Sequence, residues 1–227
     1  MRRPMIRIQL LAGTTGLLLA GCGGGGSASV PTVTPNHVSE VKGCKAVPAP
    51  SPKAKTVGAP KQVLKKGQKA TATVSTSCGS FTIALDTTQA PVTANAFAAL
   101  AQQGVYDGTD FHRVVKGFVI QGGNQALSGP HGRSYEAVEA PPKNLTYSRG
   151  VVAMAKAQTD PIGATTGEFF VVTAPADAGL PPQYALIGKV SSGMATVNRI
   201  ASLVDPSLGA AGGEPLQPVL IDSVTVH

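Results

Sequence analysis

Cys78 and His112 are the residues of this sequence that could act as a nucleophile and its base. Such a nucleophile also needs a third group that orients the base, and no sequence motif links the two residues or supplies that group. The four histidines lie far apart along the chain and lack the spacing of zinc ligands. We therefore expect no metal site, and a catalytic Cys78 remains only as the alternative to a disulfide.

Another candidate for chemistry is Arg113, within the segment Tyr106–Asn124, YDGTDFHRVVKGFVIQGGN. Its guanidinium group keeps its charge at any physiological pH and presents a planar set of hydrogen-bond donors. Taken alone, Arg113 would be interpreted as a surface charge, and Phe118 would be interpreted as a core residue. His112 lies in the same strand-like run, where simple alternation predicts that it faces away from Arg113 and has a structural role.

Short apolar runs and two helical patterns form the frame that would position these residues. Alternating apolar residues over 71–85 predict two strands joined by a tight turn. Pro91 suits the first turn of a helix that ends near Gly104, and a second helix is predicted before Pro206. Further strand-sized runs lie at residues 111–115, 117–121, 150–155, 168–173, 184–190 and 219–226. Many short strands with only two helices predict a mainly β fold, a closed antiparallel eight-stranded β-barrel capped by the helices.

Residues 106–124 closely resemble the signature of the cyclophilin-type peptidyl-prolyl cis–trans isomerases. The runs Gly150–Ala155, Glu168–Val172 and Tyr184–Val190 are also similar to the family's, and the predicted order of strands and helices agrees with it. The resemblance covers about two thirds of the chain, so we assign residues 70–227 to a cyclophilin-like domain. It implies a peptidyl-prolyl isomerase, with a non-catalytic peptide-binding or chaperone module on the same barrel as the alternative.

The reaction that this resemblance implies is rotation about an X–Pro peptide bond. The barrier is about 18–20 kcal/mol because the amide nitrogen shares its lone pair with the carbonyl group. No covalent bond breaks, so the reaction needs no nucleophile, metal or other cofactor. A pocket can hold the proline ring while a cation or donor favours the pyramidal nitrogen of the twisted amide. Such a site lowers the barrier by binding the transition state more tightly than the ground state.

The resemblance also implies roles for particular residues. Arg113 matches the family's catalytic arginine, and Gln121 matches a side chain that hydrogen-bonds the substrate backbone and helps to orient that arginine. Glu168 replaces a usual glutamine and adds negative charge near Arg113, while Lys156 replaces an asparagine whose backbone does the binding. The expected substrate-binding residues are Phe118, Val119, Ala155, Lys156, Phe170, Leu180 and Tyr184.

Residues 1–21 are typical of a bacterial lipoprotein signal peptide. A basic start is followed by an apolar stretch over residues 8–20, which is too short to span about 30 Å of hydrocarbon. The stretch ends in Leu-Ala-Gly-Cys22, which resembles the bacterial lipobox, so we expect Cys22 to carry lipid. An ordinary secretory leader with an incidental cysteine is the alternative. Residues 22–69, rich in Gly, Pro and Lys, predict a flexible tether.

Two cysteines remain, Cys44 in the predicted tether and Cys78 at the start of the predicted domain. Export past the cytoplasmic membrane would place both in a compartment where disulfides persist. We therefore expect Cys44 and Cys78 to form a disulfide.

The charge of the chain argues against a nucleic-acid partner. The 227 residues contain 19 Lys and Arg against 12 Asp and Glu, a formal net charge of +7. Loss of Arg2, Arg3 and Arg7 with the signal peptide would leave 16 against 12, or +4. Much of that excess lies in the predicted tether, without the interleaved aromatic residues that stack on bases. We expect a monomer, held at the outer face of the cytoplasmic membrane by its N-terminal lipid. Its expected partners are proline-containing segments of exported proteins.

Overall fold

The computed structural model describes residues 41–50, 57, 60–125 and 137–227. The predicted signal peptide, Cys22 and much of the predicted tether lie outside these residues. Within the described ranges, no helix combines the length and the apolar character needed to cross a membrane. The elements are β1 (Thr71–Thr76), β2 (Gly79–Leu85), α1 (Pro91–Gln102), β3 (Thr109–Val115), β4 (Val119–Gly123), β5 (Val151–Met154), β6 (Glu168–Val172), β7 (Leu186–Ser192), α2 (Met194–Ala201), a 3-10 helix (Pro206–Ala211) and β8 (Leu220–Val226).

The strands close into a barrel in the order β1-β2-β7-β5-β6-β4-β3-β8, and β8 pairs back with β1. Every neighbouring pair is antiparallel. The predicted eight-stranded barrel with two helices is therefore confirmed. The start of β4 differs from the prediction: the chain turns at Gly117, with φ of 64°, and the strand begins at Val119 instead of residue 117. That positive φ is one that glycine adopts without strain.

Alternation along the strands sends one set of side chains into the barrel. Phe169 is fully buried and makes edge contacts with Phe97 of α1, Tyr106 and Phe111, with ring centroids 5.6, 5.5 and 5.8 Å apart. Aromatic pairs prefer such tilted geometries at these distances. Because Phe97 joins this cluster, α1 packs its apolar face against the barrel-interior cluster, which includes Phe81, Phe97, Tyr106, Phe111, Ile120, Met154, Phe169 and Ile187.

A β-bulge interrupts the pairing of β3 with β4. Asp110 pairs with Gly123 and Arg113 pairs with Gln121, so β3 contains one residue more than its partner over this interval. A bulge of this kind turns neighbouring side chains out of strict alternation. As a result His112 and Arg113 are both only partly buried, whereas the residues that flank them are buried.

A few of the residues described between 41 and 69 pack against the barrel, although composition predicted a flexible tether. The side chains of Cys44 and Leu64 are 6% exposed and belong to the barrel-interior cluster. Asn95 Oδ1, on α1, accepts hydrogen bonds from the backbone N–H groups of Val63 (2.7 Å) and Leu64 (3.0 Å). Window-averaged composition missed these isolated apolar residues, because each of them is surrounded by Lys, Pro and Gly.

Cys44 and Cys78 are joined by a disulfide with an S–S distance of 2.04 Å, as the sequence analysis expected. Two hydrogen bonds to the backbone of Lys45 extend this attachment: its N–H donates to Ser77 O (2.8 Å), and its carbonyl oxygen accepts from the side-chain Nε2 of Gln217 (2.9 Å). Since the sulfur of Cys78 is bonded to Cys44, it has no thiol to act as a nucleophile. The alternative role for Cys78 is therefore excluded in this structure.

Candidate active site

Four adjacent strands bring one row of side chains together on the outer face of the barrel. Arg113 of β3 is paired with Gln121 of β4, Gln121 with Phe170 of β6, and Phe170 with Ala153 of β5. Directly opposed residues on antiparallel strands have Cβ atoms about 4.5–5.5 Å apart. The row therefore places a guanidinium, an amide and an aromatic ring side by side, although they are separated by up to 57 residues in sequence.

A second apolar cluster, which we call the groove cluster, surrounds this row. Its buried members are Ala90, Val115, Val119, Tyr147, Val151, Ala153, Ala155, Phe170, Val172, Ala174 and Leu186. Phe118, Leu180 and Tyr184 are partly buried and pack against it. The groove cluster lies outside the barrel, since its strand residues alternate with those of the barrel-interior cluster.

A pocket of about 190 Å³ opens at the surface of the groove cluster. Its walls are formed by all nine residues that the sequence analysis assigned to catalysis or substrate binding. They are Arg113, Phe118, Val119, Gln121, Ala155, Lys156, Phe170, Leu180 and Tyr184. The volume is below the roughly 300–1,000 Å³ of pockets that take drug-sized ligands, so this site suits a small apolar ring such as that of proline.

Aromatic side chains make one wall of the pocket rigid. The rings of Phe170 and Tyr184 meet edge to face with centroids 5.4 Å apart, and Tyr147 lies 6.0 Å from Tyr184 and 6.2 Å from Phe170. The Tyr147 hydroxyl donates to Tyr184 O (2.6 Å) and accepts from Tyr184 N–H (3.0 Å). Burial raises the pKa of Tyr147 to about 12, so the hydroxyl keeps its proton. Tyr147 thereby fixes the loop that carries Tyr184.

The Arg113 guanidinium is held from two sides. Nη1 donates to Gln121 Oε1 and Nη2 donates to Ala211 O, both at 3.3 Å. Gln121 Nε2 in turn donates to Glu168 Oε2 at 2.7 Å. The cation therefore stands at the pocket rim with its plane fixed by hydrogen bonds, and the adjacent wall is apolar.

Lys156, like Gln121 and Ala155, lines both this pocket and a second one with more polar residues in its walls. Its Nζ donates to the carbonyl oxygens of Ala157 (3.1 Å) and Asp160 (3.2 Å), and it lies 5.9 Å from the centroid of the Tyr184 ring. That distance is within the range of a cation–π contact. The second pocket, of about 230 Å³, is lined by Gln121, Ala155, Lys156, Ala157, Asp160, Thr166 and Glu168.

His112 lies closer to the site than alternation predicted. Its Nε2 is 3.3 Å from Glu168 Oε2, and its Nδ1 is 3.9 Å from Asp110 Oδ1. Burial raises the pKa of Asp110, against the lowering effect of the nearby His112. The sequence-based expectation that His112 faces away from Arg113 is therefore wrong, because the bulge in β3 turns both side chains toward the outer face.

Tyr147 and the carbonyl of Ala211 were not predicted from the sequence as parts of the site. Both lie in segments without strand or helix periodicity, so no local pattern marked them. Glu168 was marked, but only as a departure from the family pattern. Its hydrogen bond to Gln121 depends on the pairing of β4 with β6, which brings Gly123 opposite Glu168.

Known proteins with similar sequences and structures belong to one family. A profile of the family described as "Cyclophilin type peptidyl-prolyl cis-trans isomerase/CLD" matches residues 71–226, more than half of the chain. The chain belongs to this family of peptidyl-prolyl isomerases. It is accordingly an enzyme that interconverts the cis and trans forms of X–Pro peptide bonds, which confirms the activity that the sequence predicts.

Similar proteins occur in bacteria and in eukaryotes. A peptidyl-prolyl cis-trans isomerase of Acinetobacter baylyi is 35% identical over 164 residues, which cover 66% of this chain and 82% of the relative. Peptidyl-prolyl cis-trans isomerase A of Dickeya dadantii is 32% identical, over 67% of this chain and 82% of its own length. A crystal structure of a Cryptosporidium parvum cyclophilin-type isomerase, determined in the presence of the dipeptide Ala-Pro, matches with a TM-score of 0.59 and 27% identity. It covers 69% of this chain and 98% of that protein.

Proposed function

We propose that this isomerase is anchored in the outer leaflet of the cytoplasmic membrane by lipid on Cys22, and that it assists the folding of exported proteins. The proposal rests on Leu-Ala-Gly-Cys22 after a short apolar segment with a basic start. The Cys44–Cys78 disulfide supports it, since structural disulfides persist in compartments outside the reducing cytosol.

The substrate in this proposal is a proline-containing segment of an unfolded exported chain. The proline ring enters the pocket against Phe118, Val119 and Phe170, while the flanking residues lie in extended form past Ala155 and Lys156. The Ala-Pro dipeptide present with the Cryptosporidium parvum relative likewise contains an X–Pro peptide bond. Unfolded chains supply such substrates, because cis and trans X–Pro bonds interconvert over tens to hundreds of seconds without a catalyst.

Arg113 is the catalytic residue in this proposal. As the X–Pro bond twists, conjugation is lost and the proline nitrogen becomes pyramidal with a localised lone pair. A fixed guanidinium at the pocket rim favours that nitrogen over the planar one, and each 1.4 kcal/mol or so of preference gives about tenfold in rate. Gln121 holds one arm of the guanidinium, and its position next to Arg113 also suits it to the substrate backbone.

The anchor is tested by fractionating cells that produce the full chain or its Cys22→Ala variant. We expect the parental protein in the membrane fraction, digested by protease added to cells whose cytoplasmic membrane is intact. The Cys22→Ala variant should leave the membrane fraction or remain unprocessed. Mass spectrometry should find a mature chain that begins at an acylated Cys22. An unmodified Cys22 within a longer mature chain would contradict the proposal.

A folding assay separates the location from the role. An exported protein whose refolding is limited by X–Pro isomerisation should refold faster with the mature isomerase. The rates of refolding steps that involve no X–Pro isomerisation should not change. Cells that lack the isomerase should accumulate less of such a folded client outside the cytoplasm. If the enzyme is correctly anchored but the levels of folded client do not change, the lipid anchor would be supported and the proposed folding role would be contradicted.

A further inference from the structure

Glu168 presents one carboxylate oxygen to two side chains of the site. Its Oε2 accepts from Gln121 Nε2 at 2.7 Å and lies 3.3 Å from His112 Nε2. The side chains of Glu168 and His112 are each 13% exposed, so water screens these contacts poorly. Glu168 stands at the first position of β6, diagonal to Gln121 across the pairing of β4 with β6.

The chemistry of this contact determines which way the Gln121 amide faces. An ionised carboxylate only accepts hydrogen bonds, whereas an amide has an accepting oxygen and a donating nitrogen. Glu168 can therefore bind only the NH2 side of Gln121, which leaves the carbonyl oxygen turned toward Arg113 Nη1. A neutral glutamine at position 168 could donate or accept, so it would favour neither orientation of the Gln121 amide, and only the donor-only guanidinium of Arg113 would still favour one.

We propose that Glu168 is a positioning residue of the isomerase: its carboxylate selects the orientation of the Gln121 amide that holds the Arg113 guanidinium. The inference rests on the proposed catalytic role of Arg113. Without the bond to Gln121, the guanidinium would keep one hydrogen bond to the described residues, from Nη2 to Ala211 O, and could turn about it. Residue 168 thus acts on the reaction through two intervening side chains, and it does not line the pocket of about 190 Å³.

His112 supports this arrangement from the other side of the carboxylate. Its Nδ1 is buried and has no hydrogen-bond partner among the described residues, and the carboxylate of Asp110 is 3.9 Å away. Its Nε2 lies 3.3 Å from Glu168 Oε2, the same carboxylate oxygen that binds Gln121. The Glu168 carboxylate is thus contacted by His112 as well as by Gln121, and the two contacts together limit its movement.

The test compares Glu168→Gln with Glu214→Gln in the full-length protein. Both substitutions remove one negative charge and keep the side-chain size. Glu214 is exposed and close enough to raise the pKa of Asp110, yet it makes no hydrogen bond to Gln121 or Arg113 in the described part of the chain. We expect Glu168→Gln to lower kcat/KM for a prolyl peptide by about 3- to 10-fold, and Glu214→Gln to change it less than about 2-fold. Equal losses in the two variants would overturn the proposal in favour of a general charge effect.

A double-mutant cycle separates positioning from a direct role. In a Gln121→Ala background, Glu168→Gln should cause no further loss, because the group through which Glu168 acts is gone. Independent losses that multiply would overturn the proposal. So would an increase in kcat/KM on Glu168→Gln in the parental background, since the carboxylate would then be misdirecting Arg113.

An NMR measurement tests the positioning even if Arg113 proves not to be catalytic. The side-chain NH2 group of Gln121 should give two well-separated proton signals in the parental protein. The signal of the proton that is hydrogen-bonded to Glu168 should be shifted downfield. Glu168→Gln should reduce that separation and broaden the Arg113 Nε–H signal, while the melting temperature stays within about 2 °C. Unchanged Gln121 and Arg113 signals in the variant would overturn the proposal whatever the kinetics show.

Discussion

Phe169 and Phe170 are adjacent in β6 but belong to the two different apolar clusters. Phe169 is fully buried in the barrel-interior cluster and contacts three aromatic rings there. Phe170 is only 4% exposed, yet its ring lines the pocket beside Tyr184. Burial alone does not distinguish the two residues. The difference is that neighbouring atoms pack around one ring on all sides, while the other faces a cavity.

This contrast explains how one strand can serve stability and function together. Successive side chains of a strand point to opposite faces, so β6 contributes Phe169 and Val171 to the interior and Phe170 and Val172 to the groove cluster. When a side chain in the interior is shortened, its lost van der Waals contacts are not replaced, because no other atoms fill the space. In the groove, a substrate ring supplies the missing contacts only while it is bound.

The same substitution at these two neighbours should give opposite profiles. Phe169→Ala should lower the free energy of unfolding by about 3–5 kcal/mol, since it leaves a cavity inside the barrel. Phe170→Ala should cost clearly less stability, because its ring already borders a cavity, but it should raise KM for prolyl peptides. Urea denaturation and peptide turnover measure the two effects. Equal loss of stability in both variants would mean that the groove cluster is as much a part of the core as the barrel interior.

The extent of sequence-based prediction follows the same division. The barrel and both helices were predicted from local periodicity, whereas the nine residues around the pocket were implied by the resemblance to the family. The orientation of His112 was predicted wrongly, since the bulge depends on the register with which β3 pairs with β4, and no local pattern reveals that register. Tyr147 and the packing of Leu64 were missed for a similar reason: each is defined by partners more than 30 residues away.

Removing the disulfide should test whether the N-terminal segment belongs with the barrel interior. Cys44 and Cys78 enclose 34 residues of sequence separation. In the chain-entropy account such a cross-link is worth about 3–4 kcal/mol. We expect the double variant Cys44→Ser/Cys78→Ser to lose about that much stability in urea denaturation. At urea concentrations well below the unfolding midpoint of the variant, its kcat/KM should stay near the parental value. Both cysteines belong to the barrel-interior cluster and not to the groove cluster. A large fall in kcat/KM without loss of structure would contradict this separation.

Arg113→Ala should show the opposite pattern, with activity lost and the fold kept. Arg113 is partly buried on the outer face and its hydrogen bonds are to Gln121 and Ala211 O, so its removal leaves the interior cluster intact. Deleting one fixed charged donor costs about 2–4 kcal/mol of transition-state stabilisation, or about 30- to 1000-fold in kcat/KM. Turnover of a prolyl peptide and the melting temperature are measured together. Near-parental turnover in a folded variant would show that Arg113 is not the catalytic residue. The control is Lys116→Ala, because Lys116 is a nearby exposed cation outside the pocket.

The smallest expected effect concerns Asp110, which contributes a carboxylate next to the groove but does not touch the pocket. Burial raises its pKa above the usual 3.8, with His112 acting in the opposite direction. A raised pKa means that the folded state holds the proton more tightly than the unfolded state. Stability therefore falls as the pH rises from 3.8 through the raised pKa, and the ionised carboxylate costs stability at neutral pH. Asp110→Asn should remove this cost and raise the free energy of unfolding at pH 7 by up to about 0.5 kcal/mol. The difference should shrink as the pH falls toward 3.5, where the parental carboxyl is mostly protonated in both states. Urea midpoints at pH 7 and at pH 3.5 provide the comparison. A variant less stable than the parental protein at pH 7 would show that attraction to His112 outweighs burial, and that this polar side of the groove contributes to stability.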